Sequence, residues 1–395
     1  MYYRSMPIVR RAPAYLLAAL AALAAFHALR FAYADFLFQS GTPENLHRAA
    51  RIVPSNPIYA LRSGDPKRAL ALNPYLSEAW IELAQQAESA NHPAEAERLY
   101  LEASKVDQTF APRWALANFY FRRQQADDFW RWLRLAAERS YGDRTALFRL
   151  AWHFTEDSQQ ILRQSILPTP EFLGLYLDFL RTEAKWEAAV EAASELAPLA
   201  RPPEKAKLLD LCESLLLAGR GDAAVRIWNL WDPAQRLDVA AGQSLANGDL
   251  AREPLGKGFD LRFPWRAGVT HRWSAQARQI RITLDGREQE RTELLEQFAP
   301  VVPGAAYVYE FQYRLERIPA HSGIRWSFSC PEQPDFLEIL IGRAPPDFVT
   351  IATPLRIPPR CHMLRITLGY QRLPGTVRPE GDFLLTAPLT LTRTR

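Results

Sequence analysis

Apolar positions along this chain of 395 residues fall into three textures. Between residues 12 and 29 they are nearly continuous, and no polar face interrupts them. Across residues 43–231 they recur at steps of three and four, the stripe that one side of a helix buries. After Asp232 they alternate with polar residues in short runs bounded by Gly and Pro. Ile280, Ile282 and Leu284 are the clearest example, and this is the period of a half-buried strand. The expected fold class is multidomain α then β: an N-terminal transmembrane helix, an α-solenoid and a C-terminal antiparallel β-sandwich. The expected boundaries are a basic N-terminus at 1–11, the transmembrane helix or uncleaved signal anchor at 12–34, helical repeats at 43–231, a linker at 232–257 and the sandwich at 258–395.

Inside the helical region a large aromatic returns every 34 residues, at Trp80, Trp114 and Phe148. A period in that range is the signature of stacked helical hairpins. In the best unit Trp80, Leu83, Ala84 and Ala87 line one helix, and Ala96, Leu99, Tyr100, Ala103 and Val106 line the next. Small side chains at Ala84 and Ala96 let the two axes approach, and the Trp80 ring fills the space beside them. Full burial of that ring predicts a cost of about 3–5 kcal/mol for Trp80→Ala. Thr42 and Pro43 supply an N-cap and a first helical residue. Residues 63–74 read as the tail of a degenerate first repeat, the atypical cap expected at the end of a stack.

Trp80, Leu83, Ala84, Ala87, Ala96, Tyr100 and Ala103, preceded by Asn73-Pro74, resemble the tetratricopeptide repeat (TPR) family. The second unit keeps Trp114, Ala117, Phe121 and Ala137, but has Trp130 where a small residue is usual and Arg134 where an aromatic is. The third keeps only Phe148 and Ala151. The resemblance implies stacked hairpins with a concave surface for a protein partner. In that register Gln85, Glu88, Phe119, Arg122, Arg123 and His153 face the groove. The plainer alternative for Arg122 and Arg123 is that they solvate a helix end.

The apolar run, extended by Phe31, Ala32 and Tyr33, reaches the roughly 20 residues that cross a bilayer as helix. Arg4, Arg10 and Arg11 ahead of it place that end in the cytoplasm, with Phe31, Tyr33 and Phe36 at the far interface. A second reading is a cleaved signal peptide, because Ala32-Tyr33-Ala34 before Asp35 has the form of a cleavage site. Both readings export the remainder.

The segment around residues 294–316 reads as strand, Pro-Gly turn, strand. It resembles part of the jelly-roll carbohydrate-binding modules of the galactose-binding-like type. That resemblance implies sugar binding, with Trp265, Trp273 and Trp326 as the rings that could stack on a pyranose. Core packing is the alternative for each, above all for Trp326 in its alternating strand. Cys330 and Cys361 both fall in strand-like text and form a candidate disulfide in an oxidising compartment. Cys212, on an apolar helix, reads as core.

Charge adds little, since the net value of +4 is dispersed and no basic block interleaves with aromatics, so nucleic acid is not an expected partner. Walker, HExxH, GxSxG and CxxC motifs are missing from the sequence. The seven His have no ligand-spaced partners. No cofactor, metal or catalytic residue is expected. The reading is a single-pass protein of a bacterial inner membrane with a periplasmic bulk, acting as a non-enzymatic scaffold for partner proteins of an envelope assembly. The second reading is a polysaccharide-binding component of exopolysaccharide or surface-glycan synthesis or export, and the third a glycan-acting enzyme.

Overall fold

The computed structural model describes residues 12–331 and 333–394. Arg4, Arg10 and Arg11 lie outside the described residues. Fourteen α-helices and nine strands occur among those described, in two compact units, Met1–Leu167 and Pro168–Arg395.

The first unit holds five successive helix pairs: α1 (Ala12–Gln39) with α2 (Pro43–Ile52), α3 (Pro57–Arg62) with α4 (Pro66–Leu72), α5 (Ser77–Ser89) with α6 (Pro93–Val106), α7 (Phe110–Arg123) with α8 (Ala126–Ala137), and α9 (Thr145–Phe154) with α10 (Ser158–Gln164). Proline fixes the start of α2, α3 and α4, where its missing N–H costs nothing. The residue before each proline caps the helix. Thr42 accepts from Asn45 N, Asn56 from Ile58 N and Asp65 from Arg68 N.

In α5 and α6 the small residues pack as their spacing predicts, with Ala84, Ala96 and Ala103 fully buried and Tyr100 at 1% exposure. Trp80 departs from expectation. Its ring is only half-buried and its Nε1–H donates to Pro74 O at 2.9 Å, so the cost of Trp80→Ala falls below the figure for a buried ring. The next pair is built differently, because Trp130 cannot let its helix approach as Ala96 does. An aromatic cluster takes over, with Phe129 stacked on Phe154 at 4.2 Å and Trp130 edge-on to Phe154 at 5.4 Å. Arg134, at the position of Tyr100, reaches out to Arg163 O.

α1 is longer than the predicted span. It continues unbroken to Gln39, and Ala34 and Leu37 are buried against Ala49, Ala50, Val53 and Tyr59. The apolar helix is therefore also the first member of the first hairpin.

The second unit begins with two more helix pairs, α11 (Pro170–Thr182) with α12 (Trp186–Leu196) and α13 (Pro202–Leu217) with α14 (Gly221–Trp231). Nine strands follow: β1 (Val269–Ser274), β2 (Gln279–Asp285), β3 (Arg291–Pro300), β4 (Ala306–Glu316), β5 (Ile324–Cys330), β6 (Gln333–Leu340), β7 (Val349–Arg356), β8 (Met363–Gln371) and β9 (Glu380–Arg393). They form two antiparallel sheets, ordered β1-β2-β9-β4-β7 and β3-β8-β5-β6. Alternate residues of both sheets, among them Ile280, Phe311, Trp326, Leu368 and Phe383, close one core.

Residues 232–257 pack closely. Asn247 and Ala246 are fully buried, Asn247 donates to Asp260 at 3.1 Å, and Gln297 on β3 donates to Ala246 O at 2.8 Å. Gly258 follows at φ +63, where a side chain would strike the ring of Trp228. Its N–H donates to Glu213 on α13. Arg262 then makes a bidentate pair with Glu213, both bonds 2.8 Å, and exchanges backbone hydrogen bonds with Glu296 on β3. The last helices and the sheets are thus sewn together by buried polar contacts. Cys330 and Cys361 are joined by a disulfide at 2.01 Å, and Cys212 is buried beneath α14.

Candidate functional site

The groove residues named from the repeat register separate into three groups. Gln85, Arg123 and His153 are exposed. Glu88 and Arg122 pair with each other across successive hairpins, with Arg122 Nε and Nη2 each 2.7 Å from a Glu88 oxygen. Tyr100 OH donates to the same carboxylate at 3.1 Å. The Arg122 hydrogen bond holds the Glu88 carboxyl below its ordinary range. Burial, reinforced by Glu88, pushes the Tyr100 hydroxyl up to about 12. These two charges serve as an internal clamp. Phe119 does not face a groove: it is 1% exposed, with its ring 5.3 Å from that of Tyr100.

A cleft that the sequence did not announce opens beside the start of α7. Phe110, backed by the Trp114 ring at 5.8 Å, forms one wall, and the loop between α8 and α9 forms the other, carrying Arg139, Tyr141 and Arg144. Its volume is about 830 Å³. Tyr141 is 86% exposed beside Gly142, which sits at φ +70. Arg144 is steadied by Ser140, whose Oγ accepts from its Nε at 3.1 Å, and Asp143 accepts from Thr145 N at 2.9 Å. Two arginines and two accessible rings suit a peptide carrying aromatic and acidic side chains. An aromatic set in a Ser-Tyr-Gly-Asp turn was the available signal, but a turn residue leaves no periodic trace.

In the second unit the three tryptophans have different fates. Trp265 is 86% exposed and borders a cavity of about 590 Å³ with Arg266, Gln289, Arg291 and Glu293. Trp273 is half-buried against the sheet core, with its Nε1–H on Leu250 O at 3.1 Å, so its ring is committed internally. Trp326 is completely buried and edge-on to Tyr309 at 5.2 Å. The pleat of β5 turns Trp326 inward between Arg325 and Ser327, which removes it from any sugar surface.

The outward face of the four-stranded sheet continues the Trp265 cavity. Arg291 and Glu293 line both it and a shallow depression of about 160 Å³ over Ser327, Thr367 and Gly369. Arg365 bridges Glu293 and Glu296 at 3.0 and 2.7 Å, and Arg325 pairs with Glu338 at 3.0 Å. One accessible indole with guanidinium and carboxylate groups beside it is a surface on which a pyranose can stack and share its hydroxyls. Among the described residues no group of His, Cys, Asp and Glu is arranged to hold a metal ion.

No family model and no curated protein matches this chain. Several solved structures resemble parts of it. A CBM4 module matches with 13% identity over 38% of this chain and 100% of its own, at a TM-score of 0.30. YrrB, described as a TPR protein with an unusual peptide-binding site, matches with 12% identity over 42% of this chain and 90% of its own, at 0.22. The pilF protein of Pseudomonas aeruginosa matches with 16% identity over 52% of this chain and 92% of its own, also at 0.22. These likenesses, to a TPR protein and a carbohydrate-binding module among others, are each at 16% identity or less.

Proposed function

We propose that this chain is a membrane-anchored, non-catalytic scaffold whose helical hairpins hold a partner protein of a bacterial envelope assembly on the periplasmic side. The cleft between Phe110 and Tyr141 carries this reading, because it offers accessible rings and two arginines on a stacked-hairpin frame. The length and apolar surface of α1 support anchoring. The Cys330–Cys361 disulfide supports an oxidising compartment, since such bonds persist there. The test is a photo-reactive residue at position 141 of the full chain in its own cells. One discrete protein adduct is expected, lost with Phe110→Ala and absent when the probe stands at exposed Tyr75. Equal labelling from both positions would remove the reading.

A second reading, polysaccharide binding by the sandwich, rests on the continuous surface from Trp265 to Gly369. Calorimetry of the full chain with envelope polysaccharides should show affinity that drops about tenfold in Trp265→Ala, the order of one lost stacking contact. A chain that takes up no polysaccharide would end it.

A further inference from the structure

The outer surface of α1 stays apolar and exposed at Leu16, Leu20, Leu23, Phe26 and Leu29, and the next residue is Arg30. Arg30 does not point away from the protein. Its Nε donates to Ile52 O at 2.8 Å, at the C-terminal end of α2, because α2 runs back toward the apolar end of α1. Arg51 stands exposed in the last turn of the same helix, and Arg68 on α4 donates through Nη2 to Pro54 O at 3.1 Å. Two guanidinium groups, of Arg30 and Arg68, are therefore held at the carbonyls of residues 52 and 54, and Arg51 is the neighbouring residue in the chain. Arg48 is paired with Glu44 and Arg62 with Glu78, while exposed Lys67 on α4 adds a further positive charge. Among the described residues neither Arg30, Arg51 nor Arg68 forms an ion pair with a carboxylate. Each has five N–H donors, and the backbone carbonyls occupy only one or two of those on Arg30 and Arg68.

We propose that Arg30, Arg51 and Arg68 form a binding site for the phosphates of anionic lipid headgroups in the leaflet beside the helical array. The inference rests on α1 crossing the membrane. The source of the phosphate follows from position: Arg30 stands next to exposed Phe31 and Tyr33 on α1, and such aromatic residues suit the interfacial layer. Guanidinium groups bind phosphate in a planar, bidentate manner, and juxtamembrane basic residues gain from the negative potential of an anionic leaflet. The contact would hold the C-terminal end of α2 against the bilayer.

The test is hydrogen exchange of residues 48–56 in the full chain, reconstituted in nanodiscs of phosphatidylcholine alone or with about 30 mol % phosphatidylglycerol. Exchange is expected to slow in the anionic discs by roughly fivefold for each engaged arginine. Arg51→Gln with Arg68→Gln should cut the difference to the roughly fivefold share that Arg30 retains, whereas Arg51→Lys with Arg68→Lys should keep most of it. High salt should shrink the difference in the unaltered chain, a check that needs no substitution. Equal exchange in the two discs, or a difference that the Gln pair leaves undiminished, would overturn the proposal. So would inorganic phosphate producing the same protection in phosphatidylcholine discs. A chain that does not co-elute with discs would refute the membrane reading itself, together with this inference.

Discussion

The indole of Trp326 lies between the two sheets, packed against Tyr309 and Phe311, and its Nε1–H meets no acceptor among the described residues. Trp326→Ala should therefore cost about 3–5 kcal/mol, the price of a large core cavity. Trp326→Phe keeps a ring and removes the unsatisfied donor, so its cost should stay below about 1.5 kcal/mol. Trp265→Ala, at an exposed loop position, should change stability by no more than about 0.5 kcal/mol. Urea unfolding of the three variants checks the order. Composition made all three tryptophans of this region equivalent. Alternation in the strand text distinguishes Trp326. Only tertiary packing reveals that Trp273 spends its N–H on Leu250.

Between elements, the Glu88–Arg122 pair ties α5 to α7 over one repeat length. Both side chains are partly exposed, at 23% and 46%, so a double-mutant cycle with Glu88→Gln and Arg122→Gln should give a coupling of about 0.5–1 kcal/mol. Because Glu88 is held below its ordinary range, its contribution is complete above the unfolded carboxyl value of about 4.3. It is lost as pH falls through the lower folded value. Unfolding from pH 6 to pH 3 should show Glu88→Gln converging on the parent at the acid end. The 34-residue phase made the hairpins legible, but phase alone does not fix which way a residue faces. Gln85, Phe119 and His153 occupy one repeat position, and Phe119 alone is buried, because Tyr100 stands beside it. The Phe110–Tyr141 cleft stayed hidden for a related reason: it is made by the start of a helix and a loop.

At the scale of the whole chain, the three textures of apolar spacing located the long helix, the hairpins and the sheets. They could not show that α1 continues into the first hairpin, since burial of Ala34 and Leu37 depends on α2 and α3. The disulfide closes a separation of 31 residues, which on chain-entropy grounds stabilises the folded state by about 3.5 kcal/mol. Urea midpoints measured with and without reductant should differ accordingly, and Cys330→Ala should lose the difference. The text of residues 232–257 read as a spacer, yet Ala246 and Asn247 are buried there, Gln297 on β3 donates to Ala246 O, and Arg262 just beyond is buried with partners on α13 and β3. Cutting the chain at that point would strip Glu213 from Arg262 and lay bare the side of Phe259 that Trp228 covers. A recombinant fragment meant to represent the sandwich should accordingly begin at Pro168, so that its two helical hairpins stay with the sheets in one compact unit.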